Sequence, residues 1–465
     1  MDETADPATA GTPAGAWSAF RSRDFSLFWS AALVSNSGNW MQTITVPFVI
    51  DQMTHSTVWV GVAAFCSFFP STVVGPLAGS LADRYSRRSV LMWAQAVLAV
   101  SAFALWGTYA TGVATTWSIL ACVIVGAIGA GLTIASWQAF VTQLVPKESM
   151  LSAVRLNGMQ FTGARAFGPA LAGLVLATLG PSTAFFFNAV TYLLVIGVLA
   201  VIAARPVVGA PDSGSVRDHF REGWRYMRGH TALVLGVLGA LVAALLGVSV
   251  VQLAEPFTRN VLHEGPGAYG LLVGVYGVGA ILGSFVMVGR GDALRRSTFT
   301  MIGFSLFAAG ELVLGLAPVY AVALAGLAAI GAAQVLSMVS CQTAIQVNVE
   351  ERFRGRVLSI YVMCFFAGTP VGALVGGIVA DLVGLRATVV GAAVLMALTL
   401  GFLVLRYDRL RPLDQQIDGF DQEATRVERA GLAGADLDTP DHLAVEGIDF
   451  DETRSPPFWR SSRPS

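Results

Sequence analysis

Residues 79–88 read GSLADRYSRR and follow a long run of residues that carry no charge. Four ionised side chains, those of Asp83, Arg84, Arg87 and Arg88, fall within six consecutive positions. A charge cluster at the end of an apolar run is typical of a segment that leaves a membrane. Similar apolar runs, separated by short charged loops, recur along most of the chain.

The composition agrees with this interpretation. Hydrophobic residues make up 54% of the 465 residues and charged residues 13%, about half of the roughly 25% usual in soluble domains. Residues 407–465 hold 20 of the 59 charged residues, so the other 406 residues carry only 39. Because so few charges cannot cover a large water-soluble surface, the composition indicates a membrane protein. The net charge of −1 carries no information about partners.

Windows of about twenty residues identify twelve apolar segments. Each is too long for a strand and lacks the alternation of a membrane barrel, so each is predicted to be a transmembrane helix. The chain is therefore predicted to be an all-α membrane protein with twelve transmembrane helices. The predicted cores are 27–50, 58–82, 89–110, 116–140, 153–178, 184–204, 231–254, 268–289, 298–317, 319–346, 357–380 and 386–405.

The positions of the basic residues predict the orientation. If the N-terminus is cytoplasmic, 21 basic residues fall on the inner side and only Arg259 and Arg386 fall in outer loops. This excess of positive charge inside predicts that both termini lie in the cytoplasm of a multi-pass cell-membrane protein.

The polar stretch 205–230 divides the chain into two parts of six helices. Its arginines recur at helical spacing opposite Phe220, Trp224 and Met227, which favours either an amphipathic helix on the cytoplasmic leaflet or a solvated linker helix. The predicted organisation is a cytoplasmic segment, an N-terminal bundle, a linker, a C-terminal bundle and an acidic, disordered tail. These divisions are 1–24, 25–204, 205–230, 231–406 and 407–465.

The two parts resemble a repeat, because Arg87-Arg88 and Arg295-Arg296 lie 208 positions apart in related contexts. The decapeptide itself resembles the signature loop of the major facilitator superfamily between helices two and three. Gly79, Asp83, Arg84, Arg87 and Arg88 match that signature, whereas Ser86 replaces its second glycine. The resemblance covers roughly residues 17 to 406 and implies two six-helix bundles, the major facilitator fold.

A second motif narrows the resemblance to one branch. GARAFGPALAG at 163–173 resembles the Gly-Pro motif of antiporters in this superfamily, with Gly168, Pro169 and Gly173 in helix five. The Ala-Arg-x-x-Gly-Pro form is similar to exporters of macrolides and catecholate siderophores. One departure is that Cys122 and Val125 stand where many proton antiporters carry an arginine in helix four. The resemblance thus implies export, without the usual arginine for proton relay.

The charged loop has a physical role beside the resemblance. Asp83 falls where the predicted helix two meets the cytoplasm, and a carboxylate there can face Arg87 or Arg88 and the positive N-terminal end of a neighbouring helix. The family places that neighbour as helix eleven, so the cluster is predicted to latch the two bundles on the inner side. In the alternative interpretation the arginines only set the topology.

Charges inside the membrane are candidates for coupling. Arg165 and Glu311 lie near the middle of their segments, where each would cost on the order of 3 kcal/mol facing lipid. Arg165 is predicted to be a counter-ion for substrate or for a titrating acid. In the family that the sequence resembles, the helix of Glu255 lines the cavity, so the resemblance makes Glu255 the first choice for proton coupling. The alternative is a solvated carboxylate at the outer rim. Polar and aromatic residues are predicted to line the cavity or to join helices, namely Asn36, Asn39, Trp40, Gln42, Trp137 and Gln138.

Several functions are excluded by missing motifs. No phosphate-binding GxxxxGK[ST] loop occurs, which excludes an ATP-driven pump, and neither HExxH nor GxSxG is present. No enzyme activity, cofactor, metal or nucleic-acid partner is predicted. The predicted function is export of an amphipathic small molecule in exchange for protons. An importer or facilitator of the same fold and a non-transporting membrane sensor are the alternatives.

Overall fold

The computed structural model describes Gly15 and residues 17–202, 216–290 and 296–405. Every regular element in these ranges is helical. Most of the predicted N-terminal segment and the whole predicted tail, 407–465, lie outside the described residues. The side chains of Asp83, Arg84 and Arg165 and the surroundings of Gly79 are also outside the described part of the structure.

Thirteen α-helices lie in the described ranges. They are α1 (Arg23–Thr54), α2 (Thr57–Arg84), α3 (Arg87–Ala110), α4 (Thr116–Val141), α5 (Met150–Val201), α6 (Val216–Arg228), α7 (Thr231–Val242), α8 (Ala254–Asn260), α9 (Pro266–Arg290), α10 (Arg296–Leu316), α11 (Tyr320–Asn348), α12 (Glu351–Val383) and α13 (Leu385–Leu405). Ten stretches of the described chain are helical, long and apolar enough to cross a membrane. Helices are expected there because each backbone donor and acceptor is satisfied within its own segment.

Helix α5 contains two of the predicted segments. Gly180 has φ of 79° and ψ of 172°, a conformation outside the helical region that glycine adopts without steric cost. Pro181 follows it and has no N–H to donate, so it fits the start of a new helix. The two predicted segments therefore join through one residue instead of a loop, and they count once among the ten stretches.

The predicted segment 231–254 is longer and less regular than expected. After α7 the chain forms a π-helix at Ala243–Gly247 and a 3₁₀-helix at Val248–Leu253, and α8 completes the stretch. A Cβ added at Gly247 would lie 2.5 Å from Cε1 of Phe307, so the ring occupies the space of a side chain. Breaks of this kind are frequent at functional sites, and they depend on tertiary contacts that a hydropathy window cannot detect.

We call residues 23–201 the N half and residues 231–405 the C half. In the N half α1 packs on α5 and α4 packs on α2 and α3, while in the C half α11 packs on α9 and α10, and α10 on α13. Helices α2 with α12 and α5 with α9 make the main contacts between the halves. We name the two ends of the assembly the Asp51 end, where α1 ends, and the Arg87 end, where α3 begins.

The decapeptide lies at the Arg87 end. Ser86, which replaces the expected glycine, has an extended backbone and is the N-cap of α3, where its side chain accepts a hydrogen bond from Ser89 N at 3.2 Å. Serine is among the preferred N-cap residues because its oxygen satisfies a free backbone N–H. The substitution therefore gives a capped helix start instead of a turn that requires glycine.

Candidate functional site: a cavity between the halves and its closed end

A cavity of about 540 Å³ lies between the N half and the C half. Asn36, Asn39 and Trp40 of α1, all predicted as cavity residues, lie in its wall. Gln42 lines an adjoining cavity of about 130 Å³ that also contacts Asn39. The opposite wall comes from the C half, mainly from α9, α12 and the 3₁₀-helix Val248–Leu253, with a smaller part from α11. Side chains of both halves thus surround one space.

Two predicted cavity residues lie elsewhere. Trp137 is buried in a core cluster, where its ring centroid is 4.6 Å from that of Phe28 and its Nε1 donates to Asn157 Oδ1 at 3.3 Å. Gln138 is exposed on α4. Neither belongs to the described lining of the large cavity.

The antiporter-like motif lies at close crossings. A Cβ added at Gly168 would lie 2.6 Å from Cδ1 of Trp40, and one added at Gly173 would lie 2.5 Å from Cα of Gly270. Gly173 therefore allows the backbones of α5 and α9 to touch across the two halves, near the Asp51 end. Pro169, one turn before Gly173, is buried inside the helix.

An ion pair joins the halves at the Asp51 end. Arg259 Nη1 of α8 lies 2.7 Å from Asp51 Oδ2 at the end of α1, and Arg259 Nη2 lies 3.5 Å from His55 Nδ1. Asp51 is 1% exposed, whereas the Arg259 side chain is 34% exposed. A buried carboxylate requires such a partner, so the pair favours close contact of α1 with α8.

A second polar contact joins the halves at the same end. Asp381 of α12 accepts hydrogen bonds from Thr57 N at 2.9 Å, from Ser56 Oγ at 2.7 Å and from Thr57 Oγ1. These groups form the N-terminus of α2, where free N–H groups and the helix dipole attract a negative charge. Asp381 thus caps a helix of the opposite half. We call Asp51, Ser56, Thr57, Arg259 and Asp381 together the clasp.

The predicted membrane acids lie in different surroundings. Glu255 is 2% exposed, and it lies one helical turn from Arg259 on α8, beside a cavity of about 190 Å³. Its Oε2 has no hydrogen-bond partner among the described residues. Glu311 of α10 is fully buried, and neither of its oxygens has a partner among them. An ionised carboxylate without a partner is costly at such positions, so both acids stand out from ordinary surface carboxylates.

The described arginines at the Arg87 end contact backbone carbonyls of the N half. Arg88 donates from Nε to Leu199 O at 2.6 Å and from Nη2 to Ala200 O at 2.7 Å, and Arg87 Nη1 donates to Ala139 O at 3.3 Å. These carbonyls belong to the last turns of α4 and α5, where a cation is favourable. Contacts of both arginines therefore stabilise one half by itself.

The linker helix α6 packs on the C half. Tyr226 stacks on Phe353 of α12 with ring centroids 4.2 Å apart, Met227 is buried, and Glu222 forms an ion pair with Arg356. Phe220 and Trp224 remain exposed. The sequence analysis places Met227 on the same helix face as these two aromatic residues. In the structure Met227 instead packs into the protein core, whereas Phe220 and Trp224 are exposed.

Sequence reasoning did not select the C-half partners of the clasp. In the sequence, Arg259 is only one of two basic residues in the predicted outer loops, and nothing distinguishes Asp381 as a functional residue. The sequence shows only that Asp381 is a lone acid near the end of an apolar segment, four residues after Gly377. Its partners, Ser56 and Thr57, lie more than 300 positions earlier in the chain, so the position of Asp381 identified no partner.

The sequence model of the family described as "transmembrane secretion effector" matches residues 14–428, most of the chain. The chain belongs to the major facilitator superfamily. Members of this superfamily are transporters and not enzymes, and the ten apolar helices agree with a multi-pass protein of the cell membrane.

Curated relatives in this superfamily are similar over most of their length. The multidrug efflux pump Tap of Mycobacterium tuberculosis is 27% identical over 402 residues, which are 83% of this chain and 93% of Tap. The staphyloferrin A transporter of Staphylococcus aureus is 24% identical over 78% of this chain and 90% of its own. The enterobactin exporter EntS of Citrobacter koseri is 24% identical over 72% of this chain and 80% of its own.

Solved structures share the fold. A bacterial homologue of the human lysosomal transporter Spinster, in an inward-facing and unoccupied conformation, aligns with a TM-score of 0.66 and 16% identity over 85% of this chain and 98% of its own. The nucleoside transporter NupG aligns with a TM-score of 0.67 and 10% identity over 83% of this chain and 99% of its own. The helices therefore adopt the major facilitator fold.

Proposed function

We propose that the protein is a secondary active transporter that exports an amphipathic small molecule in exchange for protons. The observation that carries this proposal is a cavity between the two halves, with the described polar contacts between the halves at the Asp51 end. A space bounded by two bodies and closed at one end is what alternating access requires. The names of the relatives, which are efflux pumps and siderophore transporters, favour export.

The proposed topology has twelve crossings with both termini in the cytoplasm. It follows if α1 is added to the ten apolar stretches and α5 is divided at Gly180. The bundles are then 25–204 and 231–406, joined by the linker 205–230 and flanked by the segment 1–24 and the tail 407–465. Tags at residue 5, in the linker and at residue 440 should all be cytoplasmic, and an external tag at any of them would contradict this topology.

In this topology the Asp51 end faces outward, so a structure held together at that end is inward-facing. We propose that the clasp is the outer gate and that Gly79, Asp83, Arg84, Arg87 and Arg88 form the inner gate. Only one gate is closed at a time. When the two halves rock so that their surfaces meet at one end, the same motion separates their surfaces at the other end.

We propose Glu255 as the first candidate for proton coupling. It is buried next to the Asp51–Arg259 pair, so its protonation state changes the balance of charge in the outer gate. Glu311, buried without a partner among the described residues, is the second candidate. Arg165 remains a proposed counter-ion for substrate or for one of these acids.

Transport in proteoliposomes tests the function. With a proton gradient imposed across the membrane, purified protein should drive dyes, macrolides or siderophores against their concentration gradients, and dissipating the gradient should abolish accumulation. Glu255→Gln should retain substrate equilibration and lose accumulation. Equilibration by the wild type whatever the gradient would instead establish a facilitator, and no movement of any of these substrates would favour a membrane sensor.

A further inference from the structure

The linker helix α6 has one face on the C half and one face that the described part of the chain leaves exposed. On the packed face Met227 is buried and Tyr226 stacks on Phe353. Phe220 and Trp224, one turn apart, lie outside this contact and are 39% and 40% exposed. Large aromatic side chains that stay exposed side by side are typical of a surface with a binding partner.

The exposed aromatic residues are part of a stripe along the helix. The rings of Phe220 and Trp224 stack with centroids 6.4 Å apart and planes 12° apart. One turn further, Cζ of Arg228 lies 5.6 Å from the centroid of the Trp224 ring. Because these three residues recur every four positions, they form a continuous line of two aromatic rings and a cation.

The exposed side of α6 also carries positive charge that no described carboxylate compensates. Its exposed arginines are Arg221, Arg225 and Arg228, and none of them forms an ion pair with a described residue. The acid between them, Glu222, forms an ion pair with Arg356 of α12 instead. The face is therefore complementary to an anionic partner that also offers apolar contact.

The helix lies where the chain enters the membrane. Only Gly229 and His230 separate α6 from Thr231, the first residue of an apolar stretch long enough to cross. The hydroxyl of Tyr226 accepts a hydrogen bond at 3.3 Å from N of Glu350, the N-cap of α12. Because α6 is attached to the starts of two crossings, it is held at the level of the lipid headgroups at the Arg87 end.

We propose that the exposed face of α6 binds the anionic headgroups of the lipid leaflet at the Arg87 end. Phe220 and Trp224 enter the boundary between headgroups and acyl chains, and the three arginines bind lipid phosphates. Guanidinium groups suit this partner because they donate paired hydrogen bonds to phosphate oxygens. Of the two interpretations of the linker, the structure therefore favours the helix on the leaflet over the solvated helix. Such binding goes beyond the proposed function and is independent of the direction of transport.

Electron paramagnetic resonance of the full-length protein in nanodiscs tests the proposal. With the native cysteines replaced by alanine, a nitroxide at Phe220→Cys takes the place of one apolar side chain of the stripe. Its collisions with oxygen, which concentrates among acyl chains, are compared with its collisions with a water-soluble nickel chelate. Oxygen should dominate in phosphatidylcholine that contains one third phosphatidylglycerol. In phosphatidylcholine alone the chelate should reach the label severalfold more often.

Neutral variants of the arginines should abolish the effect of phosphatidylglycerol. Each arginine near an anionic surface strengthens binding about fivefold, so the loss of three should favour the released helix roughly a hundredfold. The combined variant is Arg221→Gln, Arg225→Gln and Arg228→Gln. Lysine at the same three positions keeps the charge and should preserve most of the effect. High salt should release the unmodified helix, because the Debye length falls to about 3 Å at molar ionic strength.

The matched control removes the same charge at the same end of the protein, from exposed residues of the N half. It combines Arg21→Gln, Lys147→Gln and Arg155→Gln. The label on α6 should respond to phosphatidylglycerol in this control as it does in the parent protein. An equal loss of the response in the control would overturn the proposal, because general surface charge and not the face of α6 would then hold the helix.

Three further outcomes would also contradict the proposal. Equal contact of the label with the chelate in both lipids would establish a solvated linker helix. Inorganic phosphate that shields the label in phosphatidylcholine as well as phosphatidylglycerol does would identify a dissolved anion as the ligand. A label that is shielded in phosphatidylcholine alone, and is reached by the chelate only when the chain ends at residue 412, would identify the acidic tail as the partner.

Discussion

The two ends of the assembly differ in how their charges are used. At the Asp51 end, the carboxylates of Asp51 and Asp381 each contact the opposite half, through Arg259 and through the N-terminus of α2. At the Arg87 end, the described contacts of Arg87 and Arg88 go to carbonyls of their own half. The first kind of contact depends on the relative position of the halves, and the second does not. Substitutions at the two ends should therefore have different consequences.

Gly173→Leu should have the largest effect, because an added side chain meets the backbone of α9 at Gly270. Overpacking costs about 1–3 kcal/mol for extra methylenes in a core, and a backbone contact has less room to adjust. The Asp51 end should no longer close, so transport in proteoliposomes should fall below detection. Gly197→Leu on the same helix, where an added Cβ meets nothing within 4 Å, should transport normally. Equal activity of the two variants would show that the close crossing is unimportant.

Arg259→Met should come next, because it leaves Asp51 buried without its partner. Breaking a buried pair costs about 3–5 kcal/mol, and we expect about 3 because Arg259 is partly exposed. An impermeant maleimide applied outside cells should then label Thr43→Cys in the cavity roughly a hundredfold faster.

Two variants sharpen this prediction. Asp51→Asn combined with Arg259→Met removes both charges and should restore slow labelling. Arg386→Met removes an arginine at the same end that donates to Gly315 O and Ala317 O within the C half. It should lower thermal stability without accelerating the labelling. Slow labelling in Arg259→Met would mean that the ion pair does not hold the halves together.

Asp381→Asn should have a smaller effect, because the amide oxygen can still accept from Thr57 N, whereas the charge and the acceptor for Ser56 Oγ are lost. A hydrogen bond to a charged group is worth about 1.5–3 kcal/mol, and roughly half of that should be lost. We expect labelling of Thr43→Cys to accelerate about tenfold. Glu148→Gln, an exposed acid at the Arg87 end, is the control. If maleimide labels Thr43→Cys as slowly in Asp381→Asn as in the control, Asp381 does not contribute to the outer gate.

Much of the fold could be predicted from the sequence, because the length and the apolar composition of a segment are local properties. Gly173 could be selected through the resemblance of its motif, whereas its contact with Gly270 is visible only in the structure. The direct junction at Gly180 and the π- and 3₁₀-helices of 243–253 were not predictable from hydropathy, because an apolar window does not distinguish a regular α-helix from one interrupted by tertiary contacts.

The clasp and the hydrogen bonds of Asn188 and Tyr192 could not be predicted from the sequence for a different reason. Asp381, Asn188 and Tyr192 are single polar residues in apolar segments, where their partners lie on other helices. The pairing of Tyr192 with Asn39 spans 153 positions. No spacing rule connects such residues, so only the packing of the helices brings them together.

A comparison of Asp83→Asn with Arg259→Met tests most directly whether the two ends of the protein form opposing gates. With the native cysteines replaced by alanine, spin labels at Val113→Cys and Val319→Cys report on the Asp51 end, and labels at Lys147→Cys and Glu350→Cys report on the Arg87 end. Double electron–electron resonance should show that Arg259→Met lengthens the first distance and shortens the second. Asp83→Asn should shift both distances in the opposite sense. Shifts of both variants in the same direction, or unchanged distances in a properly inserted Asp83→Asn protein that transports normally, would contradict the account.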